Sequence, residues 1–139
     1  MIDLPALIPP GISLSQQLTV SHDLTVQAVV PELPPVYSTP NMILFMEIVC
    51  TALIRPYLPA GWVSVGALVD IRHLAATPVG LTVTATARVL EVKNSLVMFA
   101  VEAHDGVDVI GRGQHARAPV ELNRFLAGCA RKAATAAGG

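Results

Sequence analysis

Most of this chain alternates hydrophobic and polar positions with the two-residue period of strands, but one stretch has almost no polar side. Between Thr39 and Leu58, the residues Met42, Ile43, Leu44, Phe45, Met46, Ile48, Val49, Cys50, Ala52, Leu53 and Ile54 cover nearly every face of a helix, and a helix apolar all round is a buried one. Thr39 serves as its N-cap, Pro40 fits a first turn where a missing N–H costs nothing, and Pro56 marks its end. Upstream, Pro5, Pro9, Pro10 and Gly11 predict an irregular lead-in. Gln16 to Val30 sets Leu18, Val20, Leu24, Val26 and Val29 among Thr, Ser and Gln, which predicts a strand with a turn near Ser21-His22-Asp23. Pro31, Pro34 and Pro35 make Pro31 to Ser38 a loop beside the helix N-terminus.

Downstream of the helix the pattern is strand after strand. Trp62 to Leu74 carries Val63, Val65, Leu68, Val69 and Ile71, with Gly66 inside it. Ala76 to Gly80 places Pro and Gly as a β-turn does. Leu81, Val83, Ala85, Ala87 and Val89 alternate with Thr82, Thr84, Thr86 and Arg88, so this strand buries one face. Lys93-Asn94 and His104-Asp105-Gly106 are hairpin turns on either side of a strand from Leu96 to Ala103. Val107 to Val120 is the last strand, where Gly111 and Gly113 predict a bulge or a close backbone approach, and Glu121 to Ala134 predicts a closing helix with a frayed tail. Short connections argue for antiparallel pairing, and the apolar helix must be enclosed. The expected fold is α+β: a hot-dog domain over residues 1–139, a curved antiparallel sheet wrapped around one central apolar helix, with a short C-terminal helix.

Composition adds to this picture. The chain is 53% hydrophobic and 14% charged, apolar enough that a partner subunit is expected to cover part of it. Its net charge of −1 is scattered, so neither nucleic acid nor an anionic membrane surface is an expected partner. Cys50 and Cys129 show no metal or disulfide spacing. The apolar run from Met42 to Ile54 is short of the ~20 residues a bilayer needs, and the N-terminus lacks a basic region. A cytoplasmic location is expected.

Candidate chemistry starts with Glu47, whose helical neighbours are Ile43, Leu44, Cys50 and Thr51. An unpaired carboxylate there would cost several kcal/mol, so it is either paired with an arginine or put to work. Thr39, His73 and Arg117 are the other candidates, against the simpler roles of helix cap, satisfied histidine and solvated sheet residue. His22, His104 and His115 show no metal spacing and receive no role, and no nucleotide-binding loop is present.

Three runs resemble one family over nearly the whole chain. They are Phe45-Met46-Glu47 with Thr39 eight positions earlier, His73-Leu74-Ala75-Ala76-Thr77-Pro78-Val79-Gly80-Leu81-Thr82-Val83-Thr84, and Ala103-His104-Asp105-Gly106-Val107-Asp108-Val109-Ile110-Gly111. The chain is similar to the fluoroacetyl-CoA thioesterase family of hot-dog proteins. The resemblance implies a homodimer that hydrolyses an acyl-CoA thioester, with Thr39, Glu47 and His73 as catalytic residues and Gly66 and Arg117 contacting substrate. It implies no metal or redox cofactor, coenzyme A being part of the substrate.

In such a site a Glu47–His73 pair would activate either the Thr39 hydroxyl, giving an acyl-enzyme, or a water, and the Gly66 N–H is a candidate oxyanion donor. Thr39 and Glu47 lie eight helical residues apart, about 12 Å of rise. Either the chain before the helix folds back or two subunits complete the site. The family's fluoroacetyl-selective member has phenylalanines in the lid before the helix, where Leu33, Val36 and Tyr37 stand here, so fluoroacetate selectivity is not carried over. Two other functions remain open: a hot-dog enoyl-thioester hydratase or dehydratase, which Thr39 disfavours, and a non-catalytic acyl-CoA binding protein.

Overall fold

The computed structural model describes residues 2–138. A single turn of helix, α1 (Leu4–Leu7), precedes strand β1 (Ser13–Thr19). The central helix α2 spans Thr39–Ile54 and runs into a 3-10 turn over Arg55–Tyr57. Strands β2 (Trp62–His73), β3 (Thr82–Lys93), β4 (Leu96–His104) and β5 (Val109–Glu121) follow, and α3 (Leu122–Gly138) closes the chain. All pairings are antiparallel, in one five-stranded sheet ordered β1-β3-β4-β5-β2. This is the expected hot-dog arrangement. No helix among the described residues is long and apolar enough to cross a membrane.

The sheet wraps one side of α2. Met42, Phe45, Met46, Val49, Cys50, Leu53 and Ile54, three or four apart, are buried against Val83, Ala85, Ala87, Val97, Phe99 and Val101 of the sheet. Small residues on β5 let the layers approach: a Cβ on Gly111 would sit 2.6 Å from the Met42 side chain. The expectation of a helix buried all round is corrected, because Leu44 and Ile48 on its outer side are 52% and 48% exposed. So are Val63, Leu68 and Val69 on the edge strand β2, at 39%, 44% and 49%.

The boundaries carry further corrections. The stretch from Val20 to Val30 is not strand but two 3-10 turns, His22–Leu24 and Val26–Ala28. Its valines mimic a strand period, but the Thr25 hydroxyl donates to the His22 carbonyl, and Val26 N–H and Ser38 N–H bond across the loop to Val36 and Leu24 carbonyls. The helix cap is Ser38, not Thr39: the Ser38 Oγ accepts from the Asn41 backbone N–H at 3.2 Å and from the Asn41 amide at 2.7 Å. The helix ends earlier than Leu58 because Pro56 cannot continue it. The closing helix extends past the predicted frayed tail to Gly138, in keeping with its alanines.

Candidate active site

The site is built at the mouth and along the side of α2. Because Ser38 caps the helix, Thr39 occupies its first turn with its hydroxyl free of capping duty. That hydroxyl lies 2.7 Å from His73 Nδ1, at the end of the antiparallel strand β2. The segment after His73 is pinned on two sides. Leu74 N–H donates to Ile110 at 2.7 Å, Tyr37 N–H to Thr77 at 2.8 Å, and the Thr77 hydroxyl to the buried Asp105 carboxylate at 2.9 Å. Asp105 also accepts the Val107 and Asp108 N–H groups in its own turn. Burial would raise its carboxyl, but the bonds from Asp108, Val107 and Thr77 reverse this and hold it below the ordinary carboxylate range.

Thr39 and His73 line a cleft of about 450 Å³ with Val36, Tyr37, Pro40 and Ala75 among its walls. Burial lowers the pKa of His73, partly opposed by the Ala75 carbonyl, so the ring is neutral near pH 7 and Nδ1 can accept the Thr39 proton. The neutral ring then carries its hydrogen on Nε2. That atom is buried and makes no hydrogen bond among the described residues. An acceptor for that hydrogen is what the described residues of one chain do not supply.

Glu47 does not fill that place within one chain. Its Oε2 lies 3.5 Å from an Arg117 nitrogen and 3.7 Å from His115 Nε2, two turns along the helix from Thr39. The expected Glu47–His73 pair is absent from the hydrogen bonds and ion pairs of the described residues. Gly66 sits against the carboxylate: a Cβ there would come within 2.9 Å of Glu47 Oε2. Next to it the register of β2 against β5 shifts between Gly66 and Leu68. Arg117 is itself 7% exposed, and its remaining bonds go to the Ser64 hydroxyl at 2.8 Å, the Ser64 carbonyl at 2.9 Å and His115 Nε2 at 3.1 Å. It faces Glu47 rather than open solvent, and the carboxylate, expected to be buried, is instead 30% exposed at its side chain with this arginine beside it.

Of the expected lid residues, Val36 is half-buried at the cleft. Tyr37 is a correction. It is 1% exposed, its phenol is pushed up to about 12 by burial, and it forms a floor rather than a lid. Leu33 is exposed and not part of the cleft lining. Cys50 is no competing nucleophile, since burial pushes its thiol up to about 12. His115 escaped the sequence reading. The available signal was its place two residues before Arg117, on the same face of one strand.

Residues 20–123 match the family described as fluoroacetyl-CoA-specific thioesterase. The chain is 42% identical over 109 residues to a fluoroacetyl-CoA thioesterase of Streptantibioticus cattleyicolor, covering 78% of each. The chain belongs to the fluoroacetyl-CoA-specific thioesterase family. A solved structure of the fluoroacetyl-CoA thioesterase superposes with a TM-score of 0.85 at 37% identity, covering 90% of this chain and 97% of that one. A point mutant of that enzyme in complex with fluoroacetate and CoA matches with a TM-score of 0.80 at 38% identity, covering 85% of this chain and 99% of the other.

Proposed function

We propose that this member of the family hydrolyses a short acyl-CoA, fluoroacetyl-CoA among the candidates, to the free acid and CoA. The observation that carries the reading is the Thr39 hydroxyl 2.7 Å from the neutral His73 ring in a cleft. It stands in a chain 42% identical to a fluoroacetyl-CoA thioesterase. His73 takes the Thr39 proton as Oγ attacks the thioester carbonyl, and returns it to the departing CoA sulfur. Water then enters by the same base and releases the acid. If a water replaces Thr39 as the attacking group, no covalent adduct forms, and mass spectrometry of a quenched reaction distinguishes the two routes. The reading calls for no metal or redox cofactor, and the free thiols Cys50 and Cys129 suit a cytoplasmic enzyme.

The acceptor for His73 Nε2 comes, in this reading, from a second copy. Strand β2 is an edge of the sheet with exposed Leu68 and Val69, and an unpaired edge of this kind is a template for a second strand. Two β2 edges pairing antiparallel about Val69 and Asp70 bring His73 of one copy level with Gly66 of the other. Glu47 lies against Gly66, so the carboxylate of one copy arrives near the threonine and histidine of the other.

The test is CoA release from a panel of short acyl-CoAs by the parent, Thr39→Ala, Glu47→Gln and His73→Ala. Loss of turnover in Glu47→Gln and His73→Ala is the expected result. Equal rates in all four proteins would overturn the assignment, and intact bound ester would favour the binding-protein alternative.

A further inference from the structure

Beside Glu47 lies a histidine that neither the sequence nor the reaction assigns. His115 is 0% exposed, its ring stacked at 6.1 Å from that of Phe99. Its two nitrogens face different groups. Nδ1 lies 2.8 Å from the Leu68 carbonyl, an oxygen that can only accept, so Nδ1 carries the hydrogen. Nε2 is then a lone pair, and it accepts from an Arg117 nitrogen at 3.1 Å. That same nitrogen is the one that reaches Glu47 at 3.5 Å. The other side of the guanidinium is taken up by Ser64, through its hydroxyl and its carbonyl.

We propose that His115 is a positioning residue for the thioesterase site: fixed by Leu68, its Nε2 orients the Arg117 fork, and the fork holds the Glu47 carboxylate. This rests on the reading of Glu47 as part of the working base. The chain of orientation runs from the bulge of β2, through β5, to the middle of α2, and no link in it needs the substrate. Burial and the charge of Arg117 both lower the pKa of His115, outweighing the Leu68 carbonyl and Glu47, so the accepting form persists through neutral pH. A guanidinium left with an unfilled direction can swing, and misplacing a reacting group by about 1 Å can cost about a hundredfold in rate.

Two substitutions separate orientation from packing. His115→Gln can place an amide oxygen near the position of Nε2, keeping an acceptor for Arg117. His115→Asn keeps a donor near Nδ1 for Leu68 but has nothing that reaches Arg117. Both are compared with the parent and with Glu47→Gln in acyl-CoA hydrolysis, after thermal melting has shown that they fold. The expected result is a kcat about tenfold to a hundredfold lower for His115→Asn at little changed KM, with most of the loss recovered in His115→Gln. Equal loss in the two variants would reduce His115 to a packing residue and overturn the proposal. Parent-like kcat in His115→Asn, with Glu47→Gln inactive, would overturn it while leaving the thioesterase reading intact. No CoA release by the parent would overturn both together.

Discussion

At the residue scale the site is a matter of which nitrogen carries a hydrogen. His73 can act as a base only while neutral, and its burial lowers its pKa from the ordinary value of 6.5. The protonated fraction grows only as pH falls through that lowered value, so the acid limb of kcat/KM should have its midpoint below about 6.5. A midpoint above that, measured across acidic buffers, would take His73 out of the role. Gly66 makes the second test. Its replacement by alanine would bring a Cβ within 2.9 Å of the end of the flexible Glu47 side chain, which can move aside. The expected outcome for Gly66→Ala is a lower kcat with a stability change within about 1 kcal/mol, measured by kinetics and denaturant titration. As candidates the residues were largely legible: Thr39, Glu47, His73 and Arg117 stand out in sequence, and Gly66 enters through the family resemblance. His115 did not, because a histidine among alanines on a strand looks the same whether it fills space or orients a neighbour.

Elements explain why legibility ended where it did. The helix and the four strands after it have long periodic patterns, and their existence and order follow from those patterns alone. Threonine caps helices well, so the sequence points to Thr39 as the cap. Ser38 takes that place, with Asn41 bonded to it by both backbone and side chain, and this difference frees the Thr39 hydroxyl. The segment before the helix failed as a strand because its backbone groups bond across the loop rather than to the sheet. The turn between β4 and β5 deserves a test at this scale. Asp105 accepts from Thr77, Val107 and Asp108 in its ionised form, and its pKa is lowered. A carboxylate whose pKa is lower folded than unfolded stabilises above its unfolded value of 3.8 and loses that contribution as pH falls through the folded value. Asp105→Asn should therefore be less stable at neutral pH, by about 1–3 kcal/mol in denaturant titration, and differ less from the parent in strong acid. A constant difference across pH 2 to 7, as about the range to scan, would contradict this.

For the whole molecule, the exposed residues of α2 and β2 matter more than its core. Leu44 and Ile48 on the helix, with Val63, Leu68 and Val69 on the sheet edge, leave more large apolar surface open than a lone chain tolerates well. Under the proposed pairing of two β2 edges, placing a charge there, as in Leu68→Arg, should shift the protein from dimer to monomer in sedimentation velocity and abolish turnover. An active monomer would mean that one chain holds a complete site. Sequence pointed to a partner through the 53% hydrophobic composition but could not say which face was bare. That depends on how far a five-stranded sheet reaches around the helix, a property of curvature and not of any residue.

The placement of Thr39 and Glu47 two turns apart on one rigid helix has a genetic consequence. In the proposed two-copy site with Thr39 as the attacking group, Thr39→Ala and Glu47→Gln each remove a different half. Unfolded together and refolded, the two inactive proteins should complement. Random association makes half of the dimers hybrid, each with one intact site of two, so about a quarter of the parent turnover should return. A mixture as silent as its components would place both residues in the same copy's site.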